Sequence, residues 1–80
     1  HMPIQEMMMN NGVKSIRFSG NLCVIRTRPG YASSVAYDID DANIPEIIGT
    51  VAGDDTIIIA LEEKCSRELV RMKLENIFEK

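Results

Sequence analysis

Two adjacent carboxylates, Asp54 and Asp55, follow Gly53 in the stretch Gly49-Thr50-Val51-Ala52-Gly53-Asp54-Asp55-Thr56, where an apolar run breaks before resuming as Ile57-Ile58-Ile59-Ala60-Leu61. Gly53 is expected to supply the positive φ of a tight turn, and aspartates tolerate turn geometry, so the stretch reads as a hairpin. Neighbouring like charges repel, more so when packed against another surface, unless a cation or a proton lies between them. The hairpin tip is therefore a candidate cation or guanidinium site. A second group is spread along the chain: Ser33, Tyr37 and Asp40 fall at i, i+4 and i+7. On a helix that spacing puts a hydroxyl, a phenol and a carboxylate on one side, either as the lining of a polar pocket or as an ordinary exposed face. Asp38, Asp40 and Asp41 lie near the C-terminus of the same helix, against its dipole, at a cost of about 0.3–1 kcal/mol for an exposed charge. That cost points to a use for at least one of them.

The elements that must position these groups follow from hydrophobic period. Val13, Ser15/Ile16 and Phe18 alternate as a short strand, Gly20-Asn21 offers turn chemistry, and Leu22-Cys23-Val24-Ile25-Arg26-Thr27 completes a hairpin. Lys14, Arg17, Arg26 and Arg28 make it locally basic, which fits a solvated strand face or contact with an acidic partner or phosphate. Pro29-Gly30 stops the second strand. The period then changes: Ala32, Val35, Ala36 and Ile39 form the i, i+3, i+4, i+7 stripe of an amphipathic helix. Asn43 to Pro45 is a loop, and Ile47–Ala52 pairs with Thr56–Leu61, the latter apolar on both sides. Ser66 is a candidate N-cap for a last helix with Leu69, Val70, Leu74, Ile77 and Phe78 on one stripe and Arg71 and Glu75 as an exposed pair. The order strand, strand, helix, strand, strand, helix predicts an α+β two-layer sandwich, a four-stranded, largely antiparallel sheet with two helices on one face. Two helices cover only one face, so the other is expected to pack on a second copy, the alternative being a tolerated apolar patch.

Eighty residues at 45% apolar composition make one small domain, of a size that gains from oligomerisation. Cys23 and Cys65 form no CxxC or Cys/His cluster, so they read as reduced, partly buried thiols. A net charge of −3 argues against nucleic-acid binding by this segment alone. No apolar run approaches the ~18 residues of a membrane span, and no secretion signal opens the chain, so the expected location is cytoplasmic. His1-Met2 reads as a cloning remnant and residues 3–12 as a lead-in or linker containing Met7-Met8-Met9 and the turn signal Asn10-Asn11-Gly12; residues 13–80 form the domain proper.

Gly49-Thr50-Val51-Ala52-Gly53-Asp54-Asp55-Thr56-Ile57, preceded by Arg26-Thr27-Arg28-Pro29-Gly30-Tyr31-Ala32, resembles the C-terminal domain of bacterial arginine repressors, from about Val13 to Phe78. A lone Gly-Asp-Asp would be weak; the spacing between the two motifs makes the likeness specific. The resemblance implies a domain that binds L-arginine as corepressor and assembles as a homotrimer pairing face to face into a homohexamer. Operator DNA would be bound only by a separate N-terminal winged-helix domain outside this chain. By the same resemblance, Asp54 and Asp55 match the acidic pair that holds arginine between trimers. Thr50 and Ala52 match positions whose backbone lies along the ligand, Ala32 a helix-start position near it, Ser33 a ligand-contact position and Asp40 a helix acid near the site. The pattern departs at Ser33, where family members carry a longer amide or imidazole side chain. Two rival readings remain on the residues: Asp54, Asp55 and Asp40 as oxygen ligands of Mg²⁺ in an enzyme, without any phosphate loop or nucleophile-base pair to support it, and an assembly module that needs no ligand.

Overall fold

Alternating apolar residues and glycine-bearing turns build the sheet, and a shift to helical period builds its cover. A computed structural model describes residues 12–79, so the readings made for residues 1–11 lie outside the described residues. The strands are β1 (Val13–Ser19), β2 (Leu22–Thr27), β3 (Ile47–Ala52) and β4 (Thr56–Leu61); the helices are α1 (Ala32–Asp41) and α2 (Arg67–Phe78). All neighbouring strands are antiparallel, in the order β1-β2-β4-β3. This is the α+β two-layer sandwich expected from the periods.

One face of the sheet meets the helices. Ile25, Ile57 and Ile59 are fully buried beneath Val35, Ala36 and Ile39 of α1 and Val70, Leu74 and Phe78 of α2. Full burial of each such side chain contributes about 1.5–3 kcal/mol. The period-2 rule sends their neighbours to the opposite face, where the register aligns Arg17, Val24, Ile58 and Val51 across all four strands. Ile58 is 47% and Val51 72% exposed. Leu22 is exposed beside them, as is Ile48, the extra residue where the β3–β4 register shifts.

Helix ends follow their local chemistry. The Ser66 side chain accepts the Leu69 N–H at 3.1 Å, the N-cap predicted for α2. Helix α1 closes when Asn43 takes a left-handed φ of 53° and its N–H donates to the Asp40 carbonyl at 3.2 Å. Arg71 differs from expectation: it is not half of an exposed pair with Glu75. Its guanidinium donates to the Ile16 carbonyl at 3.1 Å and lies over the Phe18 ring, fastening α2 to β1. Leu69, expected on the core stripe, sits at the exposed rim of α2. No helix among the described residues is long and apolar enough to cross a membrane.

Candidate functional site

The Gly53–Asp55 loop owes its shape to its neighbours. Gly53 does not take the positive φ expected of a two-residue hairpin; among the described glycines that conformation belongs to Gly12, Gly20 and Gly30. Instead the Gly53 N–H donates to the Thr56 carbonyl at 2.7 Å, and three donors from the β2–α1 connection bind the loop's carbonyls. Thr27 N–H reaches the Asp55 carbonyl at 2.8 Å, and Gly30 and Ala32 N–H reach that of Asp54 at 3.0 and 3.4 Å. The acidic loop is thus stapled to the start of α1 by main chain alone. This leaves its side chains free for other partners.

The two carboxylates diverge. Asp55 Oδ1 accepts the Thr56 hydroxyl at 2.9 Å, and its Oδ2 faces Arg26 Nη2 at 3.5 Å. The Thr56 hydrogen bond, with the Arg26 charge as a smaller influence, holds the Asp55 carboxyl below its ordinary value of 3.8. The Asp54 side chain is exposed and makes no hydrogen bond or ion pair among the described residues. The repulsion inferred from sequence is therefore relieved on one side within the chain, by Arg26 of the basic β1–β2 hairpin.

The remaining candidates line up on one ledge. Asp40, near the C-terminus of α1, accepts the Thr50 hydroxyl at 2.9 Å, joining the helix to the edge strand β3 and partly answering the charge at that helix end. Ala52 ends the same strand, half-buried, two residues from Thr50 and next to the loop. Ser33 and Tyr37 are exposed on the α1 side that carries Asp40, Tyr37 at 69%. Ala32 is wholly buried, so only its backbone, already bonded to Asp54, borders the ledge. From Ala32 to Asp40 the strip runs roughly 12 Å along the helix. The Asp55 side chain instead turns toward Arg26 of β2. Asp40–Thr50 and Asp54–Ala32 are joined by direct bonds; Ser33 and Ala52 are placed nearby by their elements.

The ledge is open rather than a cavity. A concavity of about 350 Å³ lies at the other end of the sheet among Gly20, Asn21, Leu61, Glu62, Cys65 and Arg67. Another, of about 290 Å³, reaches the ledge through Asp40 and is otherwise lined by Ile39, Asn43, Ile44, Pro45, Ile47, Ile48 and Gly49. Among the described residues no three His, Cys, Asp or Glu side chains gather in a metal-binding group. Among the described residues, the ledge offers an unpaired anion on a loop held by backbone hydrogen bonds, beside a hydroxyl-bearing helix face, suited to a cationic group with further polar atoms.

Comparison with known proteins fits this chemistry. The family described as "Arginine repressor, C-terminal domain" matches residues 9–76. Over 72 residues the chain is 60% identical to the arginine repressor of Phocaeicola vulgatus and 58% to that of Bacteroides thetaiotaomicron, in each case 90% of this chain and 46% of the relative. It is 47% identical to the arginine repressor of Thermotoga petrophila over 77 residues, 94% of this chain and 51% of the relative. The chain spans about half the length of the relatives it matches. Their name is that of a regulator, not of an enzyme.

Proposed function

This chain belongs to the arginine repressor family, matching its C-terminal domain, and from that premise we propose that it is the effector-binding and oligomerisation part of an arginine-responsive transcriptional repressor of arginine metabolism. The observation that carries the reading is the Asp54 carboxylate, exposed and without a partner among the described residues, on a loop fixed by backbone hydrogen bonds to Gly30 and Ala32. A carboxylate accepts a guanidinium through two parallel charge-assisted bonds. L-Arginine is the corepressor; Asp54 takes its cationic end, Asp55 supports the same charge, and the Thr50 and Ala52 backbone borders the ligand. Asp40 and Ser33 complete the polar side from α1. Ser33 is short, so a water or the Tyr37 phenol completes the reach to the α-carboxylate.

In this reading the domain comprises residues 13–80, and residues 3–12 lead into it. Operator binding belongs to the part of the relatives' length that this chain does not match, and the protein acts in the cytoplasm. The exposed sheet face with Leu22, Val51 and Ile58 supports assembly with further copies. Trimers meeting through their acidic ledges repel until bound arginine bridges them. A ligand that favours the assembled state stabilises it by mass action. Sedimentation equilibrium of the chain with and without L-arginine tests this, with L-lysine as the control that carries charge without a planar fork. Arginine alone is expected to shift trimer to hexamer. A mass unchanged by arginine, together with no heat of arginine binding, would overturn the reading. A ligand-independent assembly module, favoured by the short Ser33 side chain, instead predicts a hexamer of constant mass.

A further inference from the structure

Between β2 and α1 the chain crosses in Arg28-Pro29-Gly30-Tyr31, a turn closed by the Tyr31 N–H on the Arg28 carbonyl at 3.1 Å. Pro29 fixes its own φ, and Gly30 takes the φ of +87° that the next turn position requires. The hydroxyl of buried Thr27 donates to the same Arg28 carbonyl at 2.8 Å. The connection therefore has few internal freedoms and shifts as a unit. One of its edges is the staple on the acidic loop, where Thr27, Gly30 and Ala32 N–H hold the carbonyls of Asp55 and Asp54. The other edge holds the start of β1. Arg28 N–H donates to the Gly12 carbonyl at 2.8 Å, and the Tyr31 ring lies so close on Gly12 that a Cβ there would stand 2.5 Å from ring carbon Cδ2. The Arg28 guanidinium lies 5.6 Å from the centre of the same ring. Tyr31 stays outside the hydrophobic core, and what its ring covers is Gly12.

We propose that this connection couples the acidic loop to the point where the chain enters β1, with Tyr31 as the positioning residue that closes the link. The coupling rests on the assignment of Asp54 to arginine binding. A ligand held by Asp54 restrains the loop, and the loop's carbonyls restrain Gly30 and Ala32. The stiff turn passes that restraint to Arg28 and Tyr31, and these pass it to Gly12. Restraint of this kind is reciprocal: fixing Gly12 raises the affinity for arginine by the same factor by which arginine fixes Gly12. The effector state is thus delivered at the entry to β1 without a change of fold.

Amide hydrogen exchange followed by NMR on the whole chain, with and without L-arginine, tests this in the parent, Tyr31→Ala and Tyr31→Phe. The Gly30 amide reports the loop edge and the Arg28 amide the Gly12 edge; the Glu62 amide, which donates to the Glu46 carbonyl beyond the far end of β4, reports general stabilisation. In the parent, arginine is expected to slow Gly30 and Arg28 about fivefold or more, and Glu62 less. Tyr31→Phe keeps the ring and should behave as the parent. Tyr31→Ala should keep the slowing at Gly30, lose it at Arg28, and bind arginine about three- to tenfold more weakly by calorimetry. A ring that only supported the fold would move all three amides together, with or without ligand. If arginine slows Gly30 in the parent but leaves Arg28 no slower than Glu62, or if Tyr31→Ala keeps the Arg28 response, the coupling is wrong and the site assignment survives. The parent comparison can overturn the coupling even where Tyr31→Ala does not fold. If arginine gives neither heat nor slowing at Gly30, the site assignment itself falls and the coupling with it.

Discussion

Asp54 and Asp55 carry the same functional group in adjacent positions, yet among the described residues only Asp55 has a side-chain partner. The adjacency was plain in the sequence; the division was not, because it depends on Arg26 arriving from another strand 29 residues away. Nor could the sequence show that Thr50 reaches Asp40, a contact made when β3 is laid beside α1. Asp54→Asn is expected to lose about ten- to a hundredfold in arginine affinity, the range of a charge-assisted hydrogen bond of about 1.5–3 kcal/mol, read by calorimetry. Acid titration separates the neighbours. Asp55 and Glu46 have folded-state values below their ordinary ones, Asp55 through Thr56 and Glu46 chiefly through the Lys73 hydrogen bond at 2.8 Å. A depressed carboxyl stabilises the fold above its unfolded value and loses that contribution as pH falls through the folded value. Melting temperature should therefore decline below about pH 4, and Glu46→Gln or Asp55→Asn should flatten the decline. Gly12→Ala is expected to destabilise by about 1–3 kcal/mol in denaturant unfolding, since Gly12 has φ +84° and an added Cβ would lie 2.5 Å from the Tyr31 ring.

Elements were the most legible level. The change from period 2 to period 3.6 after Pro29-Gly30 and back after Pro45 marks β2, α1 and β3 without long-range information. Core residues Val35, Ala36 and Ile39 followed from the same stripe. What escaped was the conformation of Gly53 and the place of Arg71, both decided by segments that meet only in three dimensions. The loop is shaped by carbonyls that serve the β2–α1 connection, and Arg71 leaves the helix surface to stack on Phe18. The cap of α2 belongs to the legible part. Ser66→Ala should cost about 1 kcal/mol in thermal or denaturant unfolding, with Ser66→Asp retaining most of the stability.

At the scale of the molecule, the sheet has one face closed by two helices and one carrying exposed aliphatic side chains. Ile58→Glu places a charge at the centre of that open face without touching the core, so the chain should keep its circular dichroism spectrum and sediment at a lower mass. The expectation of a second copy came from the unbroken apolar run of β4, whose alternate members the fold leaves uncovered. The two thiols are as unequal as the two aspartates. Cys23 is sealed in the core, where burial pushes its thiol up to about 11, whereas Cys65 is free and half-buried beyond the opposite end of β4 from the acidic loop. Maleimide at neutral pH should therefore attach one dye per chain, at Cys65, as intact mass would verify. With roughly 17 Å of strand between that end and the acids, Cys65 gives the chain a single-colour reporter that can count subunits by energy transfer without disturbing the ledge where they are proposed to meet.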